Sequence, residues 1–365
     1  MYRVPDAEFF ANRGCQMNSP DLMSNLNPDP VPTDTAEMIA GSRLEHWTGT
    51  FGYNALRQIR YLLAMVASGL LFLWIGNHLL PSPWSQGAWI AAWGPAGSLE
   101  SELIMLIALL VAIFLGMLIT WPDTPHSGLF TAAVGLCILA VKWGPMTNLL
   151  LPQTLASLPR VYQILQWQCL FWIIFVLAGE AISRMFYRLI FRNSLWIHLA
   201  GLDGLPLPDT NVHGLIMPFT ASAIQIDQVR RSKMTSSLLA NAGGFVITGA
   251  VASLLLMILL RSQFVGQAIF ANFVAFAAGA FAAGAVFADV SPWAVWPAIP
   301  ATAAVLYFFS MHSVPEYPGQ AAAPMAGALP IAYVGAGLSG AVVGYYTVLR
   351  MHLRKQHEMG VEERP

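Results

Sequence analysis

Long apolar runs, each nearly free of charge and about as long as a bilayer core is thick, recur along this chain and constrain its fold more than any other feature. A helix rises about 1.5 Å per residue, so roughly 20 apolar residues cross a hydrocarbon core of about 30 Å. Eight runs of this kind are found, at about 60–80, 101–121, 127–144, 165–186, 237–260, 264–288, 292–310 and 327–349. With no water to satisfy backbone groups in that medium, each run must be a helix. The expected fold is an all-α polytopic membrane protein of about eight transmembrane helices. Composition agrees: 10% of residues are charged, against about 25% in soluble domains. The third run is the weakest, being short and ending at Lys142. The seventh carries Pro297 and Pro300, which remove backbone donors and are expected to kink it.

The positions of the charges orient the chain. With the N-terminus inside, the cytoplasmic side receives Arg43, Arg57 and Arg60, then Arg184, Arg188, Arg192, Arg230, Arg231 and Lys233, and finally Arg350, Arg354 and Lys355. The opposite side keeps Lys142, Arg160 and Arg261. Basic residues stay on the cytoplasmic side of short loops, so this asymmetry places both termini in the cytoplasm. The membrane expected is a bacterial inner (plasma) membrane or an invagination of it.

Residues 1–34 are polar and rich in Pro, Asn and Asp, with no signal-peptide core, and read as a disordered cytoplasmic tail. Asp34 and Glu37 have capping-box spacing, and Leu44, Trp47 and Phe51 follow at helical intervals. Residues 35–58 therefore read as an amphipathic interfacial helix ahead of the first span. Segment 187–236, turn-rich at its centre, divides a first four-span half (59–186) from a second (237–349), and 350–365 forms a cytoplasmic tail. Roughly a third of 264–349 is Ala or Gly, which reads as a tight inner bundle, because small residues let helices approach closely in lipid.

Residues 334–346 read VGAGLSGAVVGYY. Gly337-Leu338-Ser339-Gly340 resembles the nucleophile motif of the rhomboid intramembrane serine proteases, over about ten residues. The resemblance implies a serine nucleophile served by a histidine on a later transmembrane helix. Here the motif lies in the last run, and His352, 13 residues on, is on the same helix about 20 Å away, where a base needs about 3 Å. Ser339 is accordingly read as a packing residue, with Gly335, Gly340 and Gly344 in the same small-residue seam and Gly279 and Gly284 on an earlier span.

Other chemistry finds little footing. The histidines fall at span ends or in loops, which argues against a haem held within the bundle. His352 and His357 in the tail read as solvated, so no metal is expected. Cys15, Cys137 and Cys169 form no Cys-x-x-Cys, and the two in apolar runs read as small buried hydrophobes. Ion-coupled transport needs ionisable groups within the membrane, and Glu102, Asp289 and Lys142 sit near span ends. Nucleotide-binding and nucleic-acid patterns are lacking, the basic residues being explained by topology. The cofactor is unknown, since quinone or pigment binding needs no fixed motif.

The most specific charged pattern is Glu180, Arg184, Arg188 and Arg192, repeating every four residues along one helix face. Glu180 can pair with Arg184. The rest is expected to emerge at the cytoplasmic interface, anchoring the helix or binding anionic lipid or an acidic partner together with Arg230, Arg231 and Lys233.

The function expected first is a non-enzymatic subunit or scaffold of a larger membrane complex. Its partners would be membrane lipids, other membrane subunits and a cytoplasmic protein on 187–236. The alternative is a permease-like component moving an apolar or lipid-like substrate with a separate ATPase. A third reading is a lipid-acting membrane enzyme, for which Glu180, Arg184 and Asp289 are the candidate polar residues.

Overall fold

The computed structural model describes residues 58–77, 99–120, 126–186, 238–287, 290–313, 315, 317 and 319–362. All belong to one compact unit, Thr50–Pro365. Among the described residues there are nine α-helices and no strand. They are α1 (Gln58–Asn77), α2 (Leu99–Thr120), α3 (His126–Trp143), α4 (Met146–Leu150), α5 (Leu158–Phe186), α6 (Leu238–Leu259), α7 (Val265–Val286), α8 (Pro292–Ser310) and α9 (Pro330–Glu362). Eight of them, all but α4, are long and apolar enough to cross a membrane. The chain is an integral multi-pass membrane protein. The tail 1–34, the interfacial helix expected at 35–58 apart from Gln58, and the loop 187–236 lie outside the described residues.

Span boundaries depart from the apolar runs at two places. The fourth span starts at Leu158 rather than 165, because Pro159 sits in the first helical turn, where its missing N–H costs nothing. The last runs as helix to Glu362, so most of the segment read as a tail extends α9. Its 33 residues make a rod of about 50 Å, longer than a hydrocarbon core of about 30 Å. Pro297 and Pro300 are buried inside α8, which is one continuous helix.

Close contacts give the directions of the spans. Gly69 of α1 lies against Ile138 of α3 and Gly76 against Leu139, so these two run parallel. Gly128 of α3 lies against Ile113 and Met117 of α2, turning α2 and α3 into an antiparallel hairpin. Gly279 of α7 meets Thr248 of α6, and Gly243 meets Phe287 just past α7, again antiparallel. Gly340 and Gly344 of α9 follow Phe273 and Ala277 of α7 in parallel. The spans thus alternate, and α1 begins at the same end of the bundle where α5 and α9 leave it.

The inner helices come from both halves of the chain. The last span is 89% buried, α3 72% and α8 67%, whereas α6 is 22% buried. Within the Ala/Gly-rich stretch 264–349 α8 and α9 lie inside, as expected; α6, which precedes that stretch, is peripheral, and α3 of the first half is central as well. The physical reason appears in mean hydropathy, which is 1.4 for α3 and 1.3 for both α8 and α9, but 2.2 for α6 and 3.0 for the α2 span. A helix ringed by lipid must be apolar on most of its surface, whereas one ringed by protein can carry small and polar residues. The third run looked weak because it lies inside.

Candidate functional site

Four spans bring side chains together around one carboxylate, Glu180, in the last two turns of α5. The α2–α3 hairpin supplies His126. Gly116 and Gly128 let the two backbones approach so closely that a Cβ at Gly128 would strike Ile113 O, and one at Gly116 would strike Thr131 Oγ1. At the hairpin's end Thr120 Oγ1 donates to Gly116 O at 2.7 Å, and the Thr120 and Ser127 hydroxyls pair at 2.6 Å. His126, the first residue of α3, is thereby held inside the protein at 6% exposure. It stands at a span end as the sequence suggested, but the hairpin closes tightly enough to bury it.

Glu180 accepts three hydrogen bonds. His126 Nδ1 lies 3.0 Å from Oε2, Trp296 Nε1 of α8 donates to the same oxygen at 3.2 Å, and Arg184 Nε donates to Oε1 at 2.7 Å. An indole N–H only donates, so Oε2 accepts from Trp296, and as a carboxylate oxygen it also accepts from the His126 tautomer that carries its proton on Nδ1. Aromatic rings close the cluster. Trp296 meets His126 edge-on at 6.0 Å, Tyr346 of α9 lies 5.8 Å from His126, and Tyr345 lies 5.6 Å from Trp296. Tyr345 Oη donates to Val290 O at 3.1 Å, fixing the start of α8 to α9. The Arg184 guanidinium stacks over Trp293 at 5.3 Å.

The energetics explain why so many partners converge. A carboxylate removed from water costs several kcal/mol, and it is tolerated only where charged partners and hydrogen bonds replace its hydration. Glu180 is wholly buried, and Arg184, with 26% of its side chain exposed, carries the charge toward the bundle surface. Glu180 pairs with Arg184, as the four-residue spacing suggested. It points inward, and Arg184 bridges it to the boundary. Arg188, Arg192, Arg230, Arg231 and Lys233 lie outside the described residues.

A histidine–carboxylate pair is the arrangement of a general base and its orienting group, but such a pair needs a reacting group on the other ring nitrogen. Around His126 the structure places the rings of Trp296 and Tyr346 instead. Among the described residues no three His, Cys, Asp or Glu side chains gather as metal ligands.

The small residues singled out in sequence lie at helix seams. A Cβ at Gly340 would run into Phe273 O, one at Gly344 into Ala277 O, and one at Gly284 into the Val348 side chain. At Gly279 it would lie 2.6 Å from Thr248 O, and at Gly335 2.9 Å from Cys137 N. Ser339 is buried, donates Oγ to Ala336 O of its own helix at 2.9 Å, and neighbours Cys137 across the α3 seam. His312 and His352 stand at the ends of α8 and of the last span, away from it.

Sequence reasoning missed His126, Trp296, Tyr345 and Tyr346. His126 and Trp296 lie 54 and 116 residues from Glu180 and the two tyrosines on another span, so no local periodicity marks them. The available signal was Glu180 itself, a carboxylate inside an apolar run, which demands partners from other helices. No family model, curated protein or solved structure matches this chain.

Proposed function

We propose that the chain is a non-enzymatic integral subunit or scaffold of a larger membrane assembly, set in a bacterial plasma membrane with the Glu180 end of the bundle facing the cytoplasm. One observation carries this reading. The ionised carboxylate in the membrane-embedded part of the described structure, Glu180, is consumed by internal donors from α3, α5 and α8. A group so enclosed fastens helices together and is not poised to shuttle an ion or attack a substrate. Arg60, Arg184 and Arg350 lie at the same end of the bundle, consistent with a cytoplasmic orientation.

The test is gentle extraction of the native protein with its neighbours, followed by mass spectrometry and an absorption spectrum of the intact particle. Other membrane subunits in fixed stoichiometry support the reading, and the spectrum reports any pigment they bring. A lone chain overturns it, and a particle holding only an ATPase and lipid replaces it with the permease-like alternative.

A further inference from the structure

At the end of the bundle opposite Glu180, a cleft of about 440 Å³ opens between three turns: the α6–α7 connection, the short α4 and the segment leading into α9. Its volume lies within the roughly 300–1,000 Å³ of small-ligand sites. Its lining mixes polar side chains, Arg261, Thr147 and Gln320, with apolar ones, Leu151, Leu260 and Phe264.

The walls are braced. With its amide turned to satisfy both neighbours, Gln263 donates to Gly319 O and accepts from Ala321 N–H, which ties the α6–α7 turn to the opposite wall. Tyr162 Oη of α5 accepts the Ala322 N–H at 2.9 Å, and the Tyr307 and Tyr333 hydroxyls donate to Ala328 O and Met325 O. Gly319 adopts φ +80°, a conformation that favours glycine, and presses so closely on Leu151 that a Cβ would lie 2.8 Å from Cδ1.

Arg261 is the unusual member. It is exposed, its Nε donates to Ile258 O at 3.2 Å, and neither ion pair at Glu180 involves it. It stands two residues past the end of α6, an apolar span of 22 residues whose end would meet the headgroup layer, with Leu151 67% and Phe264 77% exposed beside it. A soluble anion would leave those two side chains bare, whereas the glycerol and upper acyl carbons of a lipid would cover them.

We propose that this cleft binds the phosphate headgroup of an anionic membrane lipid, with Arg261 as the cation and Thr147 and Gln320 as hydrogen-bonding neighbours. The lipid belongs to the leaflet opposite the Glu180 end, and the proposal does not depend on the chain being a subunit.

Full-length protein purified in detergent and offered equimolar phosphatidylglycerol and phosphatidylcholine tests this by native mass spectrometry. Wild type should retain phosphatidylglycerol preferentially, and Arg261→Gln should lose about fivefold of that retention. Arg160→Gln, at the same end but outside the cleft, should keep it. Thr147→Trp, which fills the cleft without touching the charge, should lose it as Arg261→Gln does. Retention by Arg261→Gln equal to wild type, or an equal loss in Arg160→Gln, overturns the site. Displacement of the lipid by glycerol phosphate at matching concentration overturns the lipid assignment in favour of a soluble phosphate compound.

Discussion

His126 Nδ1 and Glu180 Oε2 lie 3.0 Å apart, joining the first turn of α3 to the last two turns of α5 across 54 residues of sequence. Both side chains are buried, so each is the other's replacement for water. The α2–α3 hairpin, α5 and α8 are thereby held at one end of the bundle, while α9 closes the cluster with two tyrosine rings.

Trp296→Phe keeps an aromatic ring but removes the indole N–H that donates to Glu180, together with part of the buried ring. Because that hydrogen bond serves a buried carboxylate, we expect a loss of about 1.5–3 kcal/mol. Thermal unfolding in detergent, followed by tryptophan fluorescence, measures it. Stability equal to wild type would mean that the indole N–H does not serve the charge.

The α7–α9 seam predicts opposite outcomes for two glycines. Gly340→Ala must push apart two backbones, since its Cβ meets Phe273 O, and we expect about 1–3 kcal/mol of destabilisation. A Cβ at Gly266 in the first turn of α7 meets nothing within 4 Å, so Gly266→Ala should be neutral or slightly stabilising. The comparison needs only the two variants' melting curves, and equal effects would contradict the seam.

Ser339→Ala removes a hydroxyl that bonds within its own helix. The substitution should change stability by less than about 1.5 kcal/mol. A fluorophosphonate probe should label neither protein. Labelling that depends on Ser339 would restore the nucleophile reading.

Topology is checked with single cysteines in a background lacking the native ones. Tyr317→Cys, exposed at the Arg261 end, should react with an impermeant maleimide from outside intact cells. Met351→Cys, at the opposite end, should react only after permeabilisation. The reverse pattern would invert the orientation assigned from the basic residues.

Much of the fold was legible because transmembrane spans are long, local signals: eight apolar runs correspond to eight helices. Which helices lie inside was less so. Ala/Gly content points to close approach, yet Gly279 and Gly243 make close approaches on the peripheral α6 as well as on central helices. The three most buried spans are the three of lowest hydropathy, a signal that the sequence shows in α3 and that was read as weakness of that span. The Glu180–Arg184 pair was legible because it is four residues apart on one helix. The direction in which Glu180 points was not, because the donors that fix it, His126 and Trp296, come from α3 and α8 and are brought there only by packing.

The most direct test of the central claim, that the membrane-embedded charge fastens the bundle, is a double-mutant cycle on His126→Ala and Glu180→Gln, read by thermal unfolding of the purified protein. Each single substitution should cost about 3–5 kcal/mol, since each leaves a buried partner unmatched. The double variant should cost clearly less than their sum, by about 2 kcal/mol or more. Strict additivity would show that the two residues do not act as a pair and would contradict the account.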